Sequence, residues 1–248
     1  MAFQPAEDVI YAMGADEVLS TLDPVTGAQT IIGGTGGVLV GPLAFEGLNG
    51  TGRLLGGNQN GLDSLYELNR TTGVATSIGS VKLTGDGIVG YRGLALDPTT
   101  GTLWGVVGLT SQGGSPNVRG LITIDVGSLT ATLVATLSET RPEGITFLPN
   151  GELLAVTDDL SLNPEQLWSV NKTTGVMTFI VALGNGTDGE HIVRIPARLA
   201  GTLTVPAVGG VASFGDLQID GPAAGYVLRA TATGLSEALS GAFDILVP

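Results

Sequence analysis

Leu68-Asn69-Arg70-Thr71-Thr72-Gly73 is a short phrase that returns almost unchanged as Val170-Asn171-Lys172-Thr173-Thr174-Gly175. A related copy reads Leu22-Asp23-Pro24-Val25-Thr26-Gly27, and a degenerate copy reads Ile124-Asp125-Val126-Gly127-Ser128. The Asp or Asn side chain of each copy can bond its own backbone two residues on, and the final Gly of the complete copies supplies a positive φ. The phrase therefore predicts a tight turn between two strands of a hairpin at each site.

A second phrase alternates with the first along the chain. It reads Pro42-Leu43-Ala44-Phe45, then Gly93-Leu94-Ala95-Leu96, then Gly144-Ile145-Thr146-Phe147. Together the two phrases divide each unit into four short strands, which in the third unit are Gly93–Leu96, Leu103–Leu109, Gly120–Ile124 and Thr132–Leu137. Four short strands repeated about every 40 to 50 residues are typical of a β-propeller blade. The sequence therefore predicts an all-β fold with about four propeller-like units.

Two resemblances sharpen this prediction. The run from Gly93 to Val106, together with Leu167 to Gly175, resembles a bacterial family of secreted β-propeller repeat proteins, over residues 9–184. The runs Val211-Ala212-Ser213-Phe214-Gly215-Asp216-Leu217 and Gly225-Tyr226-Val227-Leu228-Arg229-Ala230-Thr231-Ala232 resemble the second half of bacterial immunoglobulin-like adhesin repeats, over residues 199–246. The resemblances imply a propeller domain at 1–188 and a partial immunoglobulin-like β-sandwich at 189–248. They imply no functional residue.

Both predicted modules look incomplete. The first unit begins at Val9, which corresponds to a second strand, and the segment from Gly189 to Ile195 could supply the missing one. A hairpin around Gly209-Gly210 opens the tail, but a sandwich needs about seven strands. The segment Met177–Gly184 could be the last strand of the fourth unit or a middle strand of the sandwich. Unpaired strand edges tend to associate, so a neighbouring subunit could donate the missing strands; the alternative is that each module closes on itself.

Composition excludes several classes of function. The 248 residues carry 10 Lys and Arg against 23 Asp and Glu, a net charge of −13, so the phosphate contacts of nucleic-acid binding are not expected. Absence of Cys excludes disulfides and thiolate metal sites, and a single His excludes a multi-His centre. We expect no membrane insertion and no signal peptide in this sequence. An acidic, cysteine-free chain rich in Thr and Gly favours an extracellular or cell-surface protein.

No residue of the sequence is assigned to a catalytic, cofactor-binding or metal site. Gly85-Asp86-Gly87-Ile88-Val89-Gly90 matches a dinucleotide fingerprint, but a strand follows it, so we predict a turn between blades. The sequence contains no Gly-x-Ser-x-Gly motif whose serine His191 could activate. His191 is therefore interpreted as a surface or edge-strand residue. Asp158 and Asp159 are interpreted as a solvated turn, with calcium binding as the alternative.

Aromatic and Asn residues offer the remaining candidates. Trp104 and Trp168 are expected in the core, although exposed rings could stack on sugars. Four glycosylation-type sequons are interpreted as turn residues; they begin at Asn49, Asn69, Asn171 and Asn185.

The predicted function is therefore a non-enzymatic extracellular structural or adhesion module. It would pair with itself or with other surface proteins through β-edges. A carbohydrate- or calcium-binding propeller is the alternative, with glycans as possible partners, and a metal-dependent propeller hydrolase is a third hypothesis.

Overall fold

The protein is described by a computed structural model over residues 1–14, 16–59, 61–112, 119–139, 141–157, 165–184, 191–221 and 223–246. The chain divides into two compact units, 1–194 and 195–248. Unit 1 contains four small antiparallel sheets in a four-bladed β-propeller arrangement, which confirms the predicted fold. The only helical segments among the described residues are the 3-10 turns Leu48–Gly50 and Thr110–Gln112, and no helix there is long and apolar enough to cross a membrane.

The strands follow one another in each blade from the inside outwards, except that blade 3 is preceded in the chain by a short strand at its outer edge. Blade 1 contains β1 (Ala2–Gln4), β2 (Val9–Met13), β3 (Val18–Leu22) and β4 (Gln29–Gly34). Blade 2 contains β5 (Val40–Phe45), β6 (Leu54–Asn58), β7 (Ser64–Leu68) and β8 (Ala75–Ser80). Blade 3 contains β9 (Lys82–Leu83), β10 (Ile88–Leu96), β11 (Leu103–Leu109), β12 (Arg119–Asp125) and β13 (Thr130–Thr136), with β9 parallel to the outer edge. Blade 4 contains β14 (Pro142–Phe147), β15 (Leu153–Thr157), β16 (Glu165–Val170) and β17 (Met177–Gly184).

Burial decreases from the inner to the outer strand of a blade. All six residues of β5 and of β14 are buried, whereas the outer strands β4 and β8 contain no buried residue. Inner strands lie between neighbouring blades, so they read as near-continuous apolar and Gly runs. Exposed polar residues such as Thr30 in β4 and Thr76 and Ser77 in β8 reflect the contact of the outer strands with water.

Three buried apolar clusters occupy the seams between successive blades. Leu19 and Leu54 join blades 1 and 2, and Leu65 and Val107 join blades 2 and 3. Val106 and Leu153 belong to the cluster between blades 3 and 4. Because each blade has two apolar faces, the repeat cannot bury its core alone and depends on its neighbours.

The turn phrase has the predicted chemistry. Asn69 Oδ1 accepts the N–H groups of Thr71 and Thr72 at 2.9 and 3.0 Å, and the Asn171, Asp23 and Asp125 copies repeat the pattern. Each complete turn also bonds its Gly N–H to the Asp or Asn carbonyl, as from Gly73 to Asn69 at 2.8 Å. The sequons at Asn49, Asn69 and Asn171 are exposed turn residues, while Asn185 lies outside the described residues.

Two of these turns also dock against the preceding blade. A Cβ placed on Gly73 would lie 2.2 Å from the Gly33 carbonyl oxygen of blade 1, and one on Gly175 would lie 2.3 Å from the Thr136 carbonyl oxygen of blade 3. The corresponding Gly27 of blade 1 has nothing within 4 Å of that position. The final Gly of the phrase therefore serves both the turn and the seam in blades 2 and 4, and only the turn in blade 1.

The expectation that the first blade lacks its first strand was wrong. Ala2–Gln4 pairs antiparallel with Val9–Met13, and Gln4 Nε2 donates to the Gly50 carbonyl of blade 2 at 2.6 Å. The segment expected to supply that strand is described from His191 on, and it forms no strand up to Arg194. Met177–Gly184 pairs with β16 and is therefore the outer strand of blade 4.

Unit 2 consists of two hairpins. The first joins β18 (Leu199–Ala200) to β19 (Gln218–Ile219) and turns at Gly209 and Gly210, as predicted, between the bridged Val208 and Val211. The second pairs β20 (Ala223–Tyr226) with β23 (Phe243–Ile245), and β21 (Arg229–Ala230) with β22 (Ala238–Leu239). The immunoglobulin-like character of this unit stays a prediction.

Candidate functional site

A buried group of charged side chains lies where blades 3 and 4 meet. Arg119 begins β12, and its side chain is 2% exposed. Its Nη2 donates to Glu143 Oε1 at 2.8 Å, and the Glu143 side chain is 7% exposed. On the other side, Arg92 Nε lies 3.6 Å from Glu143 Oε2. One carboxylate thus stands between two guanidinium groups.

β-bulges place two of these side chains. Tyr91 faces Val107 while Gly93 faces Val106, so Arg92 is the extra residue of β10. Glu143 is the extra residue of β14 in the same way, because its neighbours Pro142 and Gly144 face consecutive residues of β15. Bulges re-aim side chains and are over-represented next to functional sites. Neither residue was predicted from the sequence, because the second phrase was taken to start one position later. A charged residue before Gly-Leu or Gly-Ile was the available signal.

The arginines of this group act on one another electrostatically. Burial lowers the pKa of Arg119, the hydrogen bond from its guanidinium to Glu143 opposes that shift, and the charges of Arg92 and Arg141 reinforce it. Three cations therefore lie within electrostatic range of each other in a chain whose net charge is −13. Such concentration of positive charge is unusual for this acidic protein.

His191 belongs to the same neighbourhood. Burial, the Met1 amino group and Arg92, in that order, lower the pKa of His191 to about 3. The side chain is partly buried and lies outside the strands, which differs from the predicted surface or edge-strand position. At neutral pH the imidazole is uncharged and can donate or accept a hydrogen bond.

The two tryptophans occupy different environments. Trp104 is 9% exposed and packs edge-on against Phe147 at a centroid distance of 6.2 Å, so it is a core residue, as expected. Burial rules it out as an exposed platform for sugars. Trp168 is partly buried, packs edge-on against Phe179 at 5.6 Å, and donates from Nε1 to Thr157 Oγ1 at 3.3 Å.

Two further candidates from the sequence are the glycine-rich run and the pair Asp158 and Asp159. The glycine-rich run leads from a turn at Gly85 into strand β10, as predicted, with no helix N-terminus to hold a phosphate. Asp158 and Asp159 lie outside the described residues. Within the described part of the chain, no group of three or more His, Asp and Glu side chains could hold a metal ion.

A second candidate site is the apolar surface of unit 2. None of its described residues is buried. Large apolar side chains are exposed in both hairpins, with exposed fractions of 55% for Leu203, 64% for Val211, 75% for Leu235 and 64% for Leu239. Isolated two-stranded hairpins are only marginally stable in water. Unit 2 therefore presents strands that lack a packed apolar face.

The outer strand of blade 4 shares this property. In β17, Phe179, Ile180, Val181 and Leu183 are each between 45% and 51% exposed. This strand ends its sheet, so one row of its backbone N–H and C=O groups has no strand beside it within blade 4. Natural sheets usually blunt such edges with charged residues or Pro, and β17 contains neither.

No family model matches the chain, and no curated protein is significantly similar to it. Solved structures are similar at low identity. A structure titled as a nidogen/laminin complex matches with 18% identity and a TM-score of 0.46, covering 69% of this chain and 59% of that chain. An auxiliary nutrient binding protein from Bacteroides thetaiotaomicron matches with 15% identity and a TM-score of 0.49, over 75% and 42%. The chain thus spans less than two thirds of the length of these proteins.

Proposed function

We propose that this protein is a non-enzymatic structural or adhesion module that assembles with further copies of itself through the strands of unit 2. The observation that carries the proposal is that no described residue of 195–246 is buried, although this segment is rich in Val, Leu and Ala. Burying a Leu or Val side chain contributes about 1.5 to 3 kcal/mol. A second copy packed on these hairpins would bury several such side chains at once.

The edge strand β17 adds support to assembly. A strand from another copy could pair with the outer edge of β17 and cover Val181 and Leu183. When unit 2 of one copy pairs with β17 of the next, the two contacting surfaces differ. Such a head-to-tail arrangement extends into rings or filaments. The cysteine-free, acidic composition supports our placement of such an assembly outside the cell or on its surface.

Light scattering of the purified chain, combined with negative-stain microscopy, tests the proposal. We expect particles well above the 25.0 kDa of one chain, as closed rings or fibres. A compact monomer at all concentrations up to the millimolar range would contradict assembly.

Paired variants locate the interface. Leu203→Lys combined with Leu239→Lys places one charge in each hairpin, at side chains that are 55% and 64% exposed. We expect this variant to be monomeric. Val25→Lys, at a side chain that is 74% exposed in a blade 1 turn, is the matched control and should assemble like the parent.

A further inference from the structure

The Arg92 side chain is a mostly covered cation with few partners. It is 27% exposed, and its Nε atom is buried without a hydrogen bond. Its contact with Glu143 Oε2 measures 3.6 Å, which is an ion pair and exceeds hydrogen-bonding distance. A buried polar atom without a hydrogen-bond partner requires an explanation, and the binding of an anion is one such explanation.

The surrounding charges favour an anion. Glu143 already pairs with Arg119 at 2.8 Å, so these three side chains together carry one net positive charge. Only 10 of the 248 residues are Lys or Arg, so an abundance of basic residues does not explain why two arginines lie beside one carboxylate. Partial burial reduces competition from water and strengthens any charge-assisted hydrogen bond to the guanidinium.

Blade 2 has no charged side chain at this repeat position. In blade 2 the residue equivalent to Arg92 and Glu143 is Gly41, where the register of β5 and β6 slips in the same way. A Cβ on Gly41 would lie 2.8 Å from Gln59 Oε1, so the Gln59 side chain occupies the space of the absent one. A Cβ on Gly90, two residues before Arg92, would lie 2.6 Å from the backbone carbonyl oxygen of Gln59. Of these three blades, only blades 3 and 4 therefore carry a charged side chain at the bulge.

From this geometry we propose that the bulge of β10 is a binding site for a small carboxylate, with Arg92 as its anchor. The planar guanidinium binds a carboxylate through two parallel N–H···O bonds. A monoanion matches the one net positive charge of these three side chains, whereas a phosphate dianion would leave an excess negative charge beside Glu143. This ligand site is independent of the assembly surface in unit 2.

Binding is tested on the full chain with sodium D-glucuronate, sodium acetate and D-glucose. His191 is the only histidine, so its imidazole resonance in an NMR spectrum is unambiguous, and it senses the charge of Arg92. We expect glucuronate and acetate to shift this resonance saturably and to raise the pKa of His191, since a bound carboxylate offsets the Arg92 charge. We expect D-glucose to leave the resonance unchanged.

Variants assign the effect to Arg92. Arg92→Gln should weaken glucuronate binding at least tenfold, and Arg92→Lys, which keeps the charge but lacks the planar fork, should weaken it less. Arg53→Gln is the control, because Arg53 pairs with Glu46 on blade 2, and it should bind like the parent. Acetate should bind about as tightly as glucuronate, because the guanidinium contacts the carboxylate alone, and equally tight binding of D-glucose would overturn carboxylate recognition. Absence of saturable binding of either anion, or equal binding by Arg92→Gln and Arg92→Lys, would overturn the site.

Discussion

At the residue scale, His191 shows how the fold changes a side chain's chemistry. An exposed histidine has a pKa near 6.5, whereas burial and the neighbouring positive charges lower that of His191 to about 3. In the unfolded chain the imidazole takes up a proton below pH 6.5, and in the folded protein it does so only near pH 3. The unfolded state therefore binds more protons between these values, and stability falls as pH decreases through this window.

Removing the imidazole isolates this contribution. Between pH 7.5 and 5.5 the parent should lose about 1 kcal/mol of unfolding free energy through His191. The total loss in His191→Gln should be smaller than the loss in the parent by the same amount. Denaturant titrations at both pH values measure the difference. Identical pH dependence in the two proteins would mean that His191 is solvated in the folded state.

Lys172 is the second residue whose role depends on burial. Its Nζ lies 2.8 Å from Asp97 Oδ2 and 5.3 Å from the centre of the Phe147 ring, and Asp97 is 1% exposed. Burial raises the pKa of Asp97, but hydrogen bonds from Lys172 and Thr99 outweigh it and leave that pKa below the usual value. The basic residue of the turn phrase therefore ties blade 4 to blade 3.

We expect Lys172→Met to destabilise the protein by about 2 to 3 kcal/mol, because it leaves a buried carboxylate without its cation. Arg70→Met is the matched control: Arg70 occupies the same place in its turn and lies 2.8 Å from Glu7, but that pair is 40% and 45% exposed. The control should cost about 0.5 kcal/mol. Thermal and denaturant unfolding of both variants provide the comparison, and equal losses would contradict a special role for burial.

At the element scale, the turns between the third and fourth strands also fix the spacing of the blades. Gly73 and Gly175 have φ values of +81° and +72°, and each lies against a carbonyl of the preceding blade. Gly27 has a φ of +70° but faces open space. The same type of turn is therefore packed against the preceding blade in blades 2 and 4, and it lacks such a contact in blade 1.

This contrast yields a controlled test. Gly27→Ala adds only the strain of a positive φ, about 1 to 2 kcal/mol. Gly175→Ala adds the same strain and also forces Thr136 away, so we expect it to cost at least about 2 kcal/mol more. Denaturant unfolding of the two variants measures the gap. Equal destabilisation would show that the blade 3 and 4 seam adjusts freely.

At the scale of the whole molecule, the two units differ in how they are stabilised. Unit 1 contains three buried clusters between its blades, while unit 2 has no buried residue among those described. Regions with few buried contacts open easily and exchange their amide hydrogens quickly. Unit 2 should therefore gain order when another copy covers it.

Hydrogen exchange at several protein concentrations checks this expectation. At low concentration the hairpins 199–219 and 223–245 should exchange much faster than β11 and β12 of blade 3. At high concentration the hairpins should become protected while blade 3 changes little. Protection of the hairpins that does not depend on concentration would mean that unit 2 is stable without a partner.

Most of the fold followed from local patterns. The Asn69 and Asn171 turns, the turn at Gly85 and the hairpin at Gly209 were predicted from residues within a few positions of each other. Strands β11, β12 and β13 were predicted to within two residues of their ends, whereas β10 begins at Ile88, five residues before its predicted start. The first strand was missed because Ala2–Gln4 is only three residues long and its partner β2 lies across a turn.

The sequence by itself determined a repeated four-stranded unit, its turns and its acidic, cysteine-free character, since backbone preferences and short-range hydrogen bonds act between near neighbours. Only the tertiary structure decided which charges meet. Arg119 and Glu143 are 24 residues apart, and Lys172 and Asp97 are 75 apart. Such pairs form because packed blades bring their bulges and turns together and remove water from them, and no pattern along the chain records that proximity.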